Sequence, residues 1–219
     1  MAIQLILASA SPRRKTLLEG LGFNVKVVPS NIEEVRLEDE EPENFVKRVS
    51  RDKVLTVVQR LSATLYTDSE PNPRPSRSHP GQTRDETRWI VGADTVVVYG
   101  NQVFGKPQDA HEAFEMLSQL SGNVHEVITG FCIFDVKKNK EGLQAVRTYV
   151  KFKELSKTEI ERYIGVGESM DKAGAYAVQG VGAYLVETLD GSYTNVVGLP
   201  LCQVVEMMQE MGAHSVLPF

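Results

Sequence analysis

Cysteine is scarce in this sequence, and its scarcity excludes several kinds of site. Cys132 and Cys202 are the two cysteines among 219 residues, and they are far apart in the chain. Zinc sites and thiol redox centres place cysteines within a few residues of one another. Each of the two falls in an apolar segment, so we expect both to be buried, reduced residues of the core.

Long hydrophobic runs and excess positive charge are also lacking. The apolar N-terminal run from Ile3 to Ala8 is too short for a signal peptide or a membrane span, so we expect a cytoplasmic location and no membrane partner. A formal net charge of −5 argues against a nucleic acid polymer as partner, because such binding needs a broad basic surface. Positive charge must therefore act locally, and small anions suit it better than polymers.

Several familiar enzyme motifs are missing as well. The sequence contains no Walker A loop, dinucleotide fingerprint, nucleophile elbow or His-Glu-x-x-His motif. With 42% hydrophobic and 24% charged residues, the chain can nevertheless build one substantial core or two lobes that share a cleft. Any catalytic site must therefore be assembled from scattered residues.

The stretch from Leu5 to Arg14 is the first such element that is present. An apolar run typical of a buried strand leads into Ser11-Pro12, a pair suited to the N-cap and first position of a helix. Free backbone N–H groups and the helix dipole favour anions there. The polar residues that would surround this anion site are Ser9, Ser11, Arg13 and Arg14.

A lysine interrupts the apolar stripe of the next long helix. We expect this helix to run from about Glu43 to Leu61, with Lys53 in line with Phe45, Val49 and Val57. One interpretation is a snorkelling side chain whose stem covers the core. The alternative is a lysine directed into a cleft.

The segment from Trp89 to Tyr99 is the strongest strand pattern in the chain, and Asp94 interrupts it. Alternation places Asp94 on the same face as apolar neighbours. An ionised carboxylate would be desolvated there unless it is paired or bound to a metal. A purely structural role, as the cap of a β-bulge, is the alternative.

Other segments complete the predicted α/β chain. After a turn at residues 99–102, the stiff Gly105-Lys106-Pro107 loop could project a second lysine, although a solvated side chain is the alternative. Residues 66–88, rich in proline, predict a mobile insertion. His125 is expected to be structural. The remaining predicted elements are a helix at 12–19, a strand at 23–28, a helix at 109–120, a hairpin over 124–153, a helix from a capping box at Ser156 to Val166, a strand at 183–188 and a helix at 200–211.

Taken together, serine and arginine at a helix start, two lysines, Asp94 and Glu34 suit a polyphosphate with a divalent ion. The same segments, in this order, resemble the Maf family of nucleoside triphosphate pyrophosphatases. The matching motifs are residues 7–14, Ile32-Glu33-Glu34, Arg51-Asp52-Lys53, Gly92-Ala93-Asp94-Thr95, Lys106-Pro107, Leu120-Ser121-Gly122 with His125, and residues 171–174 through Gln179-Gly180. Gly105 departs from the pattern, since the family often has an acidic residue before Lys-Pro.

The resemblance implies a single domain over residues 1–219, with an elongated, twisted mixed sheet, flanking helices and two lobes around a cleft, as in the inosine triphosphatase fold. It implies hydrolysis of a nucleoside triphosphate to the monophosphate and pyrophosphate, with Asp94 as the base that activates water. Glu34 and Asp94 would hold a divalent metal, Mg²⁺ or Mn²⁺. Phosphate-binding residues would be Ser9, Arg14, Lys53 and Lys106.

Three further positions sort the subgroups of this family, and here they are Arg13, Thr95 and Gln179. The combination resembles the branch that acts on dTTP and UTP. The resemblance also suggests a homodimer. Two alternatives stay open at this point: a pyrophosphatase for 7-methyl-GTP, and a non-catalytic nucleotide-binding regulator of cell division.

Overall fold

The computed structural model describes residues 4–67 and 89–213 of the chain. These residues form a mixed α/β fold in which helices flank an open sheet. The strands are β1 (Gln4–Leu7), β2 (Asn24–Val27), β3 (Trp89–Tyr99), β4 (Gln102–Phe104), β5 (Val124–Asp135), β6 (Lys140–Phe152) and β7 (Val186–Asp190). The α-helices are α1 (Pro12–Gly20), α2 (Pro42–Thr67), α3 (Ala110–Leu120), α4 (Lys157–Val166), α5 (Tyr193–Val197) and α6 (Leu201–Glu210). Two 3₁₀ helices span Ala173–Ala175 and Gly180–Leu185.

Strand β3 lies in the middle of the sheet, and its bounds agree with the sequence pattern. The strand order is β2-β1-β3-β5-β6-β7, with β4 also paired to β3. β5 accompanies β3 in antiparallel register over nearly its whole length, from Trp89 opposite Asp135 to Val98 opposite Glu126. The predicted mixed sheet with flanking helices is therefore confirmed.

The other edge of β3 is shared by two short strands that do not meet. The parallel strand β1 pairs as far as Leu7 opposite Val91, and the antiparallel strand β4 reaches Val97 with Phe104. Within the described residues, no strand pairs with β3 on this side from residue 92 to residue 96. We call this interruption the β3 gap. Because β1 and β4 both run toward it, the loops that follow their last residues meet there.

Helix α2 crosses one face of the sheet at close range. Its buried valines, Val46, Val49, Val54 and Val57, pack against β3 and β5. Two glycines permit this approach: a Cβ on Gly130 would lie 2.4 Å from the carbonyl oxygen of Val46, and a Cβ on Gly92 would lie 2.7 Å from that of Ser50. The helix is longer than predicted, but its apolar stripe is the predicted one.

The opposite face carries two apolar clusters with a polar interval between them. One cluster joins Leu5 and Trp89 to α6, and the other joins Val97 to α3 and α4. Between them on the same face lie the buried or half-buried hydroxyls of Thr95 and Thr129, which are 2.9 Å apart. The middle of β3 is therefore polar on both faces, with Asp94 on one and Thr95 on the other.

Several local expectations are confirmed and others are wrong. The capping box of Ser156 and Glu159 opens α4 as predicted. Cys202 is exposed, because it lies on the outer face of α6, whereas Cys132 is buried. The last strand begins at residue 186 rather than 183, because a 3₁₀ helix occupies the preceding residues, and the short helix α5 was not predicted.

The predicted insertion lies mostly outside the part of the chain that the structure describes. Of the predicted insertion at 66–88, residues 68–88 lie outside the described residues, and the first two positions end α2. Among the helices of residues 4–67 and 89–213, none has both the length and the apolar character needed to cross a bilayer.

Candidate active site

The β3 gap opens into a cavity of about 660 Å³, a volume typical of small-molecule sites. Its lining comes mainly from the β1–α1 loop, the middle of β3 and the segment of residues 171–179, with further residues from 29–34, 105–106 and 196–198. The residues predicted for the site all line this cavity: Ser9, Arg13, Arg14, Glu34, Lys53, Asp94, Thr95, Lys106 and Gln179. Scattered positions in the sequence are thus brought to one place.

Lys53 links the two predicted carboxylates at the centre of the cavity. Its Nζ lies 2.8 Å from Oδ1 of Asp94 and 2.7 Å from Oε1 of Glu34, and it also donates to the carbonyl oxygen of Ala93. Lys53 and Asp94 are both buried. The lysine therefore points into the cleft rather than snorkelling along the core, and Asp94 is paired as its burial requires.

Glu34 is held in its ionised form by its surroundings. Burial raises the pKa of this carboxyl group, but the charge and hydrogen bond of Lys53, with the charges of Lys106 and Arg14, lower the pKa below its usual value. The carboxylate is therefore available as an oxygen ligand or hydrogen-bond acceptor at neutral pH.

Arg14 is the buried cation of the β1–α1 loop. Its guanidinium donates to Gly198 O at 2.7 Å, to Ser9 Oγ at 3.0 Å and to Thr95 Oγ1 at 3.0 Å. Burial lowers the pKa of Arg14 and the nearby negative charges of Asp94 and Glu34 raise it, with a net decrease. The group stays charged, because the guanidinium pKa starts so high. Three of its N–H groups are thus engaged with the protein, and Arg14 also lines the cavity.

The helix start at Ser11 differs in one detail from the expectation. Ser11 occupies the N-cap position of α1, but its side chain makes no capping hydrogen bond. Instead the backbone N–H of Ser11 donates to Ser9 Oγ at 3.3 Å. Pro12 occupies the first helical position as predicted. Ser9 is thus fixed by both Ser11 and Arg14 at the positive end of the helix.

Lys106 reaches the cavity from the end of β4. The preceding carbonyl, that of Gly105, accepts a hydrogen bond of 3.0 Å from the N–H of Gly174, which fastens this loop to the 171–179 segment. The effect of its charge on Glu34 places Lys106 near the carboxylates. It therefore adds a cation to the same end of the cavity as Lys53.

The three positions expected to sort substrates have different environments. Thr95 is tied to the scaffold, since its hydroxyl contacts both Arg14 and Thr129. Arg13 is half-buried and Gln179 is exposed, and both line the cavity. Arg13 and Gln179 are thus accessible to a ligand.

The site also contains residues that the sequence analysis did not assign. Asp171 and Lys172 line the cavity and form an ion pair with each other. Tyr176, another wall residue, has its hydroxyl 2.7 Å from Nε2 of the buried His125. Their segment belongs to the motif match over residues 171–174 and Gln179-Gly180, but no role was predicted for these positions.

The donor set fits a divalent cation shared with a ligand. Asp94 and Glu34 present two carboxylates within reach of one point, now contacted by the Lys53 ammonium. In the described part of the chain, His, Cys, Asp and Glu side chains do not gather in threes as a complete metal shell. Magnesium commonly takes one or two protein carboxylates and completes its shell with water and substrate phosphates.

Fold and cavity define the class: an α/β protein with a cation-lined cavity in which one lysine pairs with a buried and an exposed carboxylate. The family model described as "Maf-like protein" matches residues 4–211, and the chain belongs to this family. It is 44% identical over 210 residues to a dTTP/UTP pyrophosphatase of Geobacter sulfurreducens, an alignment that covers 96% of this chain and 97% of the relative. It is 41% identical over 208 residues to a dTTP/UTP pyrophosphatase of Syntrophomonas wolfei subsp. wolfei, covering 95% and 97% respectively.

Proposed function

We propose that the protein hydrolyses dTTP and UTP, with modified pyrimidine triphosphates, to the nucleoside monophosphate and pyrophosphate. The observation that carries the proposal is the contact of Lys53 with Asp94 and Glu34 inside a cavity lined by further cations. A triphosphate needs such cations, and hydrolysis needs a base for water. The names of the relatives, dTTP/UTP pyrophosphatase, support the choice of uracil and thymine as nucleobases and of the bond between the α- and β-phosphates as the one that is cleaved.

In the proposed reaction Asp94 takes a proton from the attacking water. The oxygen of that water forms a bond to the α-phosphorus. The bond between the α-phosphorus and the oxygen that bridges to the β-phosphate breaks, and pyrophosphate leaves with the electron pair of that bond. Lys53, Lys106 and Arg14 stabilise the charge on the phosphate oxygens. Ser9, held by Arg14, offers a hydroxyl at the helix start.

Glu34 and Asp94 would hold a divalent cation, Mg²⁺ or Mn²⁺, together with the substrate phosphates. When bound, the ion neutralises phosphate charge and favours ionisation of water. The protein's own part is to direct both carboxylates to one point, which the Lys53 contacts achieve.

The test is product analysis by ³¹P nuclear magnetic resonance with the purified full chain, UTP or dTTP, and Mg²⁺ or Mn²⁺. We expect monophosphate and pyrophosphate in equal amounts, with no orthophosphate as first product. Release of orthophosphate would contradict the bond assignment. Faster turnover of 7-methyl-GTP than of UTP would favour the second subgroup, and binding without turnover of any triphosphate would favour a regulator.

The homodimer, the single two-lobed domain and the cytoplasmic location belong to the same proposal. Light scattering of the full chain at micromolar concentration tests the dimer, whose mass should be twice the 24.3 kDa of one chain.

A further inference from the structure

Asp171 and Lys172 have no part in the phosphate chemistry proposed above, yet both line the cavity. They form an ion pair in which the lysine side chain is 11% exposed and the aspartate side chain 67% exposed. The lysine is thus packed against the protein, whereas the carboxylate stays open to a ligand. A fixed donor beside an accessible acceptor is the usual arrangement for recognising a polar edge.

The backbone that carries this pair is fixed from both sides. The N–H of Ala175 donates to Lys172 O at 3.1 Å, and the N–H of Gly174 donates to Gly105 O at 3.0 Å. Ala175 has φ +60°, a conformation that residues with a side chain rarely adopt, so the surroundings must enforce it. Tyr176 is anchored by His125. A ligand therefore meets a wall that is already ordered.

The charges around Asp171 differ from those around the catalytic carboxylates. Burial raises the pKa of Asp171, but the hydrogen bond and charge of Lys172 and the charge of Arg13 lower the pKa below its ordinary value. The cations that act on Glu34 are instead Lys53, Lys106 and Arg14. The ion pairs show the same division, since Lys53 contacts Asp94 and Glu34 whereas Lys172 contacts Asp171. The cavity therefore has two polar regions, one suited to the reacting phosphates and one formed by the Asp171–Lys172 pair, with Arg13 also in the lining.

The hydrogen-bond donors and acceptor of the region around Asp171 are complementary to the Watson–Crick edge of uracil and thymine. Uracil and thymine present an acceptor at O2, a donor at N3–H and an acceptor at O4. An ionised aspartate only accepts hydrogen bonds, and lysine and arginine only donate them. Cytosine differs because its N3 is an acceptor and its exocyclic amine a donor, so it would face like groups at two of the three positions.

We propose that Asp171 accepts the N3–H of a uracil or thymine base, with Lys172 and Arg13 donating to the flanking carbonyl oxygens. The inference rests on the proposed function, because it assumes a nucleotide in this cavity. Lys172 also holds the carboxylate in place, while Gln179 lies at the end of the same wall segment. Selection of the base is thereby separate from hydrolysis.

The test compares UTP with N3-methyl-UTP, which lacks only the proposed donor. For the unmodified protein we expect kcat/KM, and the affinity measured by calorimetry in EDTA, to be at least about 100-fold better for UTP. Asp171→Ala should lose about 10- to 100-fold with UTP and bind the two nucleotides within about threefold. Asp190→Ala, which removes an exposed carboxylate outside the cavity lining, is the matched control and should keep the full preference.

An unchanged preference in Asp171→Ala, or an equal loss with both nucleotides, would overturn the proposal. If that variant does not fold by circular dichroism, Asp171→Asn replaces it and should raise the CTP to UTP ratio about tenfold, because an amide can donate to N3 of cytosine; an unchanged ratio contradicts the inference. Calorimetry in EDTA reports on base recognition even if the protein hydrolyses no triphosphate. Failure of the proposed function is thus distinguished from failure of this inference.

Discussion

At the scale of single residues, the site depends on how one lysine serves two carboxylates. Lys53 and Asp94 are both buried, so neither charge could be left alone without a large desolvation cost. Glu34, more exposed, adds a second contact to the same ammonium. Substitutions at these positions can therefore test separately the turnover of the substrate, the binding of the nucleotide and the pKa of Glu34.

Asp94→Asn should abolish turnover while preserving nucleotide binding. The amide keeps the shape of the carboxylate and can still accept a hydrogen bond from Lys53, but it cannot take a proton from water. We expect kcat for UTP to fall by about 10²- to 10⁴-fold. The affinity for α,β-methylene-UTP, measured by calorimetry, should change less than about threefold. Asp52→Asn, beside Lys53 but paired with Arg48, is the control; normal turnover in Asp94→Asn would reject the base assignment.

Lys53→Met should raise the pKa of Glu34. Burial already raises this pKa, and the charge and hydrogen bond of Lys53 are the largest opposing influences. Without the charge and the hydrogen bond of Lys53, Glu34 should begin to take up a proton at a higher pH. The acidic limb of the pH–rate profile should therefore shift to higher pH. Carbon-13 resonance of the labelled glutamate carboxyl measures the shift directly. In Lys151→Met, which removes an exposed ion pair with Glu187, the Glu34 titration should not move.

At the scale of secondary structure elements, the site requires α2 to lie close to the sheet. Gly130 is opposite Asp94 in the register of β3 and β5, and the backbone of Val46 occupies the space where its Cβ would be. Contact through a glycine thus sets the distance from which Lys53 reaches Asp94. A change in the packing of α2 against the sheet would therefore also change the geometry of the ion pair between Lys53 and Asp94.

Gly130→Ala should therefore reduce both stability and activity. The added methyl group would force α2 outward, at a cost of about 1–3 kcal/mol in the free energy of unfolding. Urea unfolding followed by circular dichroism measures this cost, and kcat/KM for UTP should fall with it. Gly165→Ala, inside α4 where a Cβ meets nothing within 4 Å, should instead stabilise the protein by about 0.5–1 kcal/mol and leave activity unchanged. Equal stability of the two variants would contradict this account.

The sequence predicted the elements better than their meeting points. Periodicity located α2 and β3, and the conflict between a charged residue and an apolar pattern identified Lys53 and Asp94 as candidate site residues, although their contact with each other was not predicted. The β3 gap was not predictable, because strand pairing joins distant residues and leaves no local pattern. The contact between Arg14 and Gly198 was not predictable either. Gly198 directly follows α5, and a helix of five residues is too short to give a recognisable periodicity.

At the scale of the whole molecule, a buried histidine couples stability to pH. His125 contacts the rings of Phe152 and Tyr176, and burial lowers its pKa to about 4. Unfolding restores the ordinary value of 6.5, so the unfolded chain binds the proton more readily. The stabilisation is complete above pH 6.5 and is lost as the pH falls toward 4.

The pH dependence of unfolding should therefore include a contribution from this one residue. Between pH 7.5 and pH 5 the shift corresponds to about 2 kcal/mol of lost stability. His125→Gln removes the titrating ring and offers an amide to the Tyr176 hydroxyl. Its urea midpoint should depend less steeply on pH than that of the unmodified protein. His111→Gln, an exposed helical histidine, is the control and should leave the slope unchanged; identical slopes in all three proteins would contradict the effect.

The β3 gap also affects when the protein becomes competent during its synthesis. Its walls come from the beginning, middle and end of the chain, and Arg14 is completed by Gly198, 184 positions later. Closing such long loops is entropically costly and is repaid only when most of the fold exists. Trp89, the single tryptophan, lies in the cluster that joins Leu5 to α6, so the surroundings of its ring are also completed only by the last helix. A chain whose synthesis stops before residue 198 therefore lacks both a part of the cavity lining and a part of the core around Trp89.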